Sequence, residues 1–291
     1  MSSDEKKSEE KFEEKKKSKY SLKNKTKYNL RFDKHQPSDH RYSAPLVKLP
    51  KKIDLTQKLP KEQTPYDQGN IGSCTANSTI FCYTFNEIKQ KNDDTFMGSR
   101  MFQYYNTRKL FGDVESDNGA SIKDAIKSLT ETGICTESLW PYDESKIFDK
   151  PPKKCYEQAK ECKALKYARV DQTLAALRTT LYNGYPIAFG FQVYESFESD
   201  KVEETGIMPI PSSDELQIGG HAVAMVGYDD TKKMFKVRNS WGNQWGDGGY
   251  FWMPYKFALD PKYCDDFWVI TKVTDPDIIP GKTVELQPIG V

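Results

Sequence analysis

Cys74 sits in the run Gln68-Gly69-Asn70-Ile71-Gly72-Ser73-Cys74-Thr75-Ala76-Asn77, and two segments far downstream complete its chemistry. His221 lies in Gly219-Gly220-His221-Ala222-Val223-Ala224, 147 residues later, and Asn239 in Arg238-Asn239-Ser240-Trp241-Gly242, 165 residues later. A thiol, an imidazole and an amide in this order form a nucleophilic set only if the chain folds back across those distances. Any acceptable fold must therefore join an early helix start to two late strands or turns. A buried structural thiol at position 74 would leave Gln68 and the framing glycines unexplained.

Each residue type suits its task. A cysteine is a nucleophile as the thiolate, which a helix N-terminus and a nearby imidazolium both favour. Asn239 can accept from one ring nitrogen of His221 and leave the other for the thiol and the leaving amine. The Gln68 side-chain amide and the Cys74 backbone N–H can form an oxyanion hole. Trp241 can cover the His–Asn bond and keep water away from it. His35 and His40 fall in the N-terminal segment and read as surface residues, so His221 is the one histidine of the globular region. Cys82, two helical turns past Cys74, reads as core.

Apolar residues at 37% and aromatics at 13% describe a chain that can build a packed core. A net charge of +1 gives no electrostatic case for nucleic acid or an acidic membrane as partner. No stretch approaches the roughly 18 apolar residues that span a bilayer, and Met1-Ser2-Ser3-Asp4-Glu5-Lys6-Lys7 does not read as a signal peptide. These features predict a cytoplasmic or otherwise intracellular location. If Cys74 is a free nucleophile, Cys82, Cys135, Cys155, Cys162 and Cys264 remain, an odd number that fits a mostly reduced state. Cys155 and Cys162 would share a face if both were helical. No zinc, calcium or HExxH spacing is present, and no cofactor is expected.

Residues 1–27 are rich in Lys, Glu and Ser and read as a disordered charged tail. Residues 28–52 mix apolar side chains with Pro37 and Pro45 and read as an extended arm. Apolar spacings of three and four predict a helix over Cys74–Lys91. A second is expected over Arg100–Leu110 between Ser99 and Gly112, and a third over Ile122–Thr132 between Ser121 and Gly133. The period then changes. After a short helix near 172–183, strands are expected at 185–193, 222–228, 234–238, 249–254 and 267–273, with a hairpin at 229–233. Helices first and strands second indicate an α+β fold in two lobes, helical over about 68–165 and β-rich over about 166–275, with the active site in the cleft between them. Residues 276–291 form a C-terminal tail.

The chain resembles the papain-family cysteine peptidases. The resemblance rests on Gln68–Cys74, on Pro141 and Tyr142 in Leu139-Trp140-Pro141-Tyr142, on Gly220-His221-Ala222-Val223, and on the long run from Asn239 to Tyr250. It covers about residues 53–273 and is closest in pattern to the disulfide-poor, prokaryotic-type branch. Ile71 and Thr75 stand where the family signature usually has a cysteine and an aromatic residue. The usual disulfide partner near Asp117-Asn118-Gly119 is missing too, so both halves of that bridge are absent together. The resemblance implies a cysteine endopeptidase acting on polypeptides, with Cys74, His221 and Asn239 catalytic. Gly119 and Ala120 would pair with an extended substrate. Ile122, Gly220 and Ala222 would border the main specificity pocket, with 263–266 as its floor and room for a bulky apolar side chain.

The family's long pro-segment has no counterpart of similar length in residues 1–52. The 28–50 stretch is a structural arm, a short pro-segment that acts in cis on the cleft, or a strap for a partner. Two other functions compete with the endopeptidase. One is an exopeptidase or isopeptidase, with the arm or the 194–211 loop closing one end of the cleft. The other is a non-catalytic binding or structural protein that keeps the fold.

Overall fold

Helix α1, Cys74–Lys91, is the axis of the molecule. Its apolar positions Ala76, Ile80, Phe81, Phe85 and Ile88 are buried as their spacing requires, but so are Asn77, Thr79, Thr84, Asn86 and Glu87. A helix wrapped on all sides must satisfy its polar side chains internally. Thr79 Oγ1 donates to the Thr75 carbonyl, and Asn86 Nδ2 donates to the Ile270 carbonyl across the lobe junction at 2.9 Å. The computed structural model describes residues 28–44, 47–91 and 96–274. The tails expected at 1–27 and 276–291 lie outside those residues.

Two further helices pack on α1. In α2, Arg100–Leu110, the Ser99 side chain accepts from Phe102 N, and Gly112 follows at φ +74°. In α3, Ile122–Glu131, the Ser121 side chain accepts from Asp124 N, and Gly133 follows at φ +84°. Both capping serines and both closing glycines occupy the positions read from the sequence. A short α4, Lys153–Ala159, completes this lobe and ends before Cys162, so Cys155 and Cys162 do not share one helix. All six cysteines are buried, and none is joined in a disulfide.

The second lobe is an antiparallel sheet. Its strands are β1 (Lys52–Asp54), β2 (Ala164–Arg169), β3 (Ile187–Tyr194), β4 (Gln217–Asp229), β5 (Met234–Arg238), β6 (Tyr250–Pro254) and β7 (Cys264–Val273). The order is β2-β7-β3-β4-β5-β6, with β1 added alongside β4. Helix α5, Leu174–Tyr182, leads into β3, α6 (Asp200–Thr205) lies between β3 and β4, and α7 (Tyr255–Ala258) follows β6. Strands β1 and β2 and the short helices α4, α6 and α7 are elements the sequence reading lacked, β2 being the longer of the two strands. The six residues of β2 alternate poorly and sit at the sheet edge, with a shifted register against β7 between Ala164 and Tyr167. No helix of the described residues is long and apolar enough to cross a membrane.

Candidate active site in the cleft between the lobes

Two pieces of pairing bring the site together. Strand β4 lies beside β5 with Ala224 opposite Arg238, so His221 on β4 and Asn239 just past β5 end as neighbours. The segment before the nucleophile pairs with the segment after Asn239. Gln68 N donates to the Ser240 carbonyl at 2.9 Å, and Gly242 N to the Tyr66 carbonyl at 2.8 Å. That ladder sets Gln68 beside Asn239 across the lobe boundary.

His221 Nε2 and Asn239 Oδ1 are 2.9 Å apart, and both residues are buried. Asn239 Oδ1 also accepts from Ser240 N at 2.9 Å, which fixes the amide so that its oxygen faces the ring. Trp241 stacks on His221 with centroids 5.2 Å apart and planes 26° apart. Phe197 and Trp245 back the indole at 5.6 and 4.8 Å. The imidazole is thus held on its Nε2 side.

Cys74 is the first residue of α1 and has no exposed surface. Burial pushes its thiol up to about 12, against the opposing pull of the Ala222, Thr75 and Cys74 backbone N–H groups. The Ala222 amide is the one next to His221, so the sulfur lies at the β4 wall of the cleft. In the covered cleft the thiol holds its proton at neutral pH.

Gln68 has no exposed surface either. Its Nε2 donates to the Ile71 carbonyl at 3.0 Å, and its Oε1 accepts from Ser240 Oγ at 2.6 Å. Tyr142, expected from the Trp-Pro-Tyr run, donates to the Gln68 carbonyl at 2.8 Å and meets Ser73 Oγ at 2.6 Å. The Arg100 guanidinium lies 4.1 Å over the Tyr142 ring and donates to Asn77 Oδ1, while Asn77 Nδ2 holds the Ser73 carbonyl. The loop entering Cys74 is therefore tied down from three sides.

The cleft is filled by the arm. Leu30 N donates to the Gly220 carbonyl at 3.1 Å and Arg31 N to the Ala120 carbonyl at 3.0 Å. Asn29 and Leu30 form parallel bridges to Gly220 and Ala120, one on each lobe. The Tyr28 ring stands edge-on to His221 at 5.8 Å and to Trp241 at 5.9 Å. Ala120 and Gly220 therefore pair with an extended main chain, the protein's own, and Gly119 lies against Asn29. A Cβ at Gly119, which has φ +71°, would lie 1.8 Å from the Asn29 carbonyl oxygen.

Leu30 is buried against β3 and β4, where a Cβ at Gly190 would come within 2.4 Å of its side chain and one at Gly220 within 3.2 Å of its carbonyl oxygen. Gly190 was missed in the sequence, since a lone glycine in a strand pattern does not say which face it opens. Ile122 on α3 and Ala222 on β4 are buried in the same core cluster as Leu30. The acidic pair at the expected floor is already engaged, Asp265 with His35 at 2.8 Å and Asp266 with Arg169 at 2.9 Å.

The profile of papain family cysteine proteases matches residues 49–264. The chain belongs to that family. It is 48% identical over 228 residues to an uncharacterised peptidase C1-like protein, L477, of Acanthamoeba polyphaga mimivirus, covering 76% of this chain and 73% of that one. It is 29% identical over 231 residues to cathepsin S of Bos taurus, covering 77% and 66%. Among solved structures it is similar to xylellain, a cysteine protease from Xylella fastidiosa, with a TM-score of 0.80 and 40% identity over 84% of this chain and 96% of that one. The fold is the two-lobed α+β fold of papain-like enzymes, and the activity is that of a cysteine-type peptidase, a hydrolase of polypeptide substrates.

Proposed function

We propose that the chain is an endopeptidase kept latent by its own N-terminal arm, with Cys74 as nucleophile, His221 as base and acid, and Asn239 as orienter. The observation that carries the latency is the arm's β pairing to Gly220 and Ala120 over a fully covered Cys74 and His221. In the open cleft a substrate main chain takes the arm's place. His221 accepts the thiol proton, and the thiolate attacks the peptide carbonyl. The oxyanion is received by the Cys74 N–H and the Gln68 amide, and Trp241 shields the His–Asn bond. The amine leaves with the proton from His221. Water, deprotonated by His221, then opens the thioester. Six buried cysteines without a disulfide suit a reducing compartment, and the near-neutral charge gives no electrostatic case for nucleic acid or membrane.

The assignment is checked with a thiol-directed epoxide probe and a blocked fluorogenic peptide. Cys74→Ala should lose both labelling and hydrolysis, and labelling that persists would remove Cys74 from the role. In Tyr28→Ala/Leu30→Ala, labelling of Cys74 should rise at least tenfold over the parent chain. An unchanged rate would make the arm a structural element only. Equal turnover of blocked and free-ended peptides is the endopeptidase result.

A further inference from the structure

Asp117 stands on the helical-lobe rim of the cleft, two residues before Gly119, and the sequence drew attention to its position only as a missing cysteine. Its carboxylate faces the loop that carries the nucleophile. Gly72 N donates to Oδ1 and Oδ2 at 3.0 Å each. Tyr104, fully buried on α2, donates its hydroxyl to Oδ1 at 2.5 Å and accepts from Gly119 N at 3.2 Å. Arg108, one turn further along α2, lies 4.4 Å over the Tyr104 ring and donates to the carbonyls of Val114 and Ser116, which lead into Asp117. Three segments thus meet at one carboxylate: the loop before Cys74, the loop of Gly119–Ala120, and a rigid helix.

We infer that Asp117 is a positioning residue for the reaction, its carboxylate clamping the Gly72 peptide so that the Cys74 loop and the Gly119–Ala120 loop stand in fixed register. The inference rests on Cys74 being the nucleophile. A carboxylate receiving a backbone N–H makes a charge-assisted bond, stronger than a neutral pair. Gly72 lies two residues before Cys74, and Ser73 N donates to the Ile71 carbonyl, so movement at Gly72 passes directly to the thiol and to the Ile71 carbonyl that holds Gln68. Electrostatics alone would not place an acid here, because the Asp117 charge opposes formation of the Cys74 thiolate. Geometry supplies the reason. The carboxylate spans the two loops at the place where this chain lacks the cysteine pair that would join them, at Ile71 and near Asp117, and it does so without an oxidant.

The Gly119 tie runs through Tyr104 and the Gly72 tie through Asp117, so the two ends of the clamp separate in kinetics. Initial rates are measured on the full chain with a blocked fluorogenic peptide amide. An arm that competes within the chain raises the apparent KM and leaves kcat unchanged, so kcat reads the site itself. Asp117→Ala should lower kcat at least tenfold with KM changed less than threefold. Asp117→Asn, which keeps an oxygen acceptor for Gly72 N, should restore kcat to within about threefold of the parent. Tyr104→Phe, which frees both Asp117 and Gly119 N, should lower kcat and raise KM together. Should Asp117→Ala not fold, Asp117→Glu is read in its place, where the extra methylene displaces the carboxylate and kcat should again fall with KM held. A parental kcat in Asp117→Ala, or an Asp117→Asn no better than Asp117→Ala, overturns the inference. Cys74→Ala is run alongside, and activity surviving in it would overturn the choice of nucleophile, a failure distinct from that of Asp117.

Discussion

At the scale of single residues, the proposed oxyanion hole depends on one neutral amide held by a hydroxyl and a backbone carbonyl. Gln68 Oε1 accepts from Ser240 Oγ while Nε2 donates to the Ile71 carbonyl, and together they orient the NH₂ group; without the Ser240 bond the amide keeps one of these two ties. Gln68→Ala should reduce kcat by about 10² to 10³, the usual cost of removing one oxyanion donor. Ser240→Ala leaves the donor in place and held only by the Ile71 carbonyl, so its loss should be smaller, about fivefold, and confined to kcat. Steady-state kinetics on one peptide decides both, and a larger loss in Ser240→Ala than in Gln68→Ala would contradict this hierarchy. Gln68 was readable in the sequence because it precedes Cys74 at a recognisable spacing. Ser240 was not, since a serine after Asn239 carries no signal until strand pairing sets it opposite Gln68.

At the scale of elements, the arm is held below the cleft by a cluster of acids and bases. Asp33 N donates to Asp266 Oδ2 at 2.6 Å, and Asp33 Oδ2 accepts from Lys123 N at the start of α3. Arg169 pairs with Asp39 and Asp266, Lys123 with Asp39, and His35 with Asp265. Asp124 and Ser121 also face Asp33. Burial first, and then the Asp266 charge, push the Asp33 carboxyl up to about 6. A released arm would return it to the ordinary carboxylate value near 3.8. The docked arm therefore binds the extra proton, so Asp33 favours docking fully below the released value and loses that contribution as pH rises through about 6. Asp39 works in the other direction: despite its burial, the Lys123 bond holds it below the usual range, so its contribution fades in acid. The arm should be held most firmly near pH 4 and loosen progressively as pH rises from there through about 6. Labelling of Cys74 should rise about tenfold across pH 6 beyond the thiol's own ionisation, and Asp33→Asn should flatten that rise. A profile identical in the two proteins would remove Asp33 from the latch.

The same elements show what a sequence can and cannot disclose. Helices α1 and α2 and strand β5 have the expected ends, because apolar spacing, the Ser99 cap and the 229–233 turn act locally. The arm's path from 28 to 42 was not legible. It has no period of its own and takes its shape from Gly220, Ala120, Arg169 and Asp266, residues that lie far away in sequence.

At the scale of the whole molecule, two of the joints between the lobes differ in kind. One is permanent: α1 lies against the sheet, with Asn86 Nδ2 on the Ile270 carbonyl, Gln90 Nε2 on the Val273 carbonyl and Val273 N on Gln90 Oε1. The other is the arm, tied to the helical lobe by Asn29 Nδ2 on the Asp117 carbonyl and to the β lobe by Tyr42 N on the Arg169 carbonyl. Variants at each joint should behave oppositely. Asn86→Leu leaves the buried Ile270 carbonyl without its donor, a loss of about 1–3 kcal/mol. For a domain of this size that lowers Tm by roughly 2–10 °C, with Cys74 labelling in the folded protein unchanged. Tyr28→Ala/Leu30→Ala removes apolar burial of about 2–4 kcal/mol and should lower Tm comparably while labelling rises at least tenfold. Both should melt in a single transition, because the α1 seam persists when the arm leaves. Thermal unfolding and probe labelling on the same samples test this division. Two separate transitions in the arm variant would mean that the arm, and not α1, holds the lobes together.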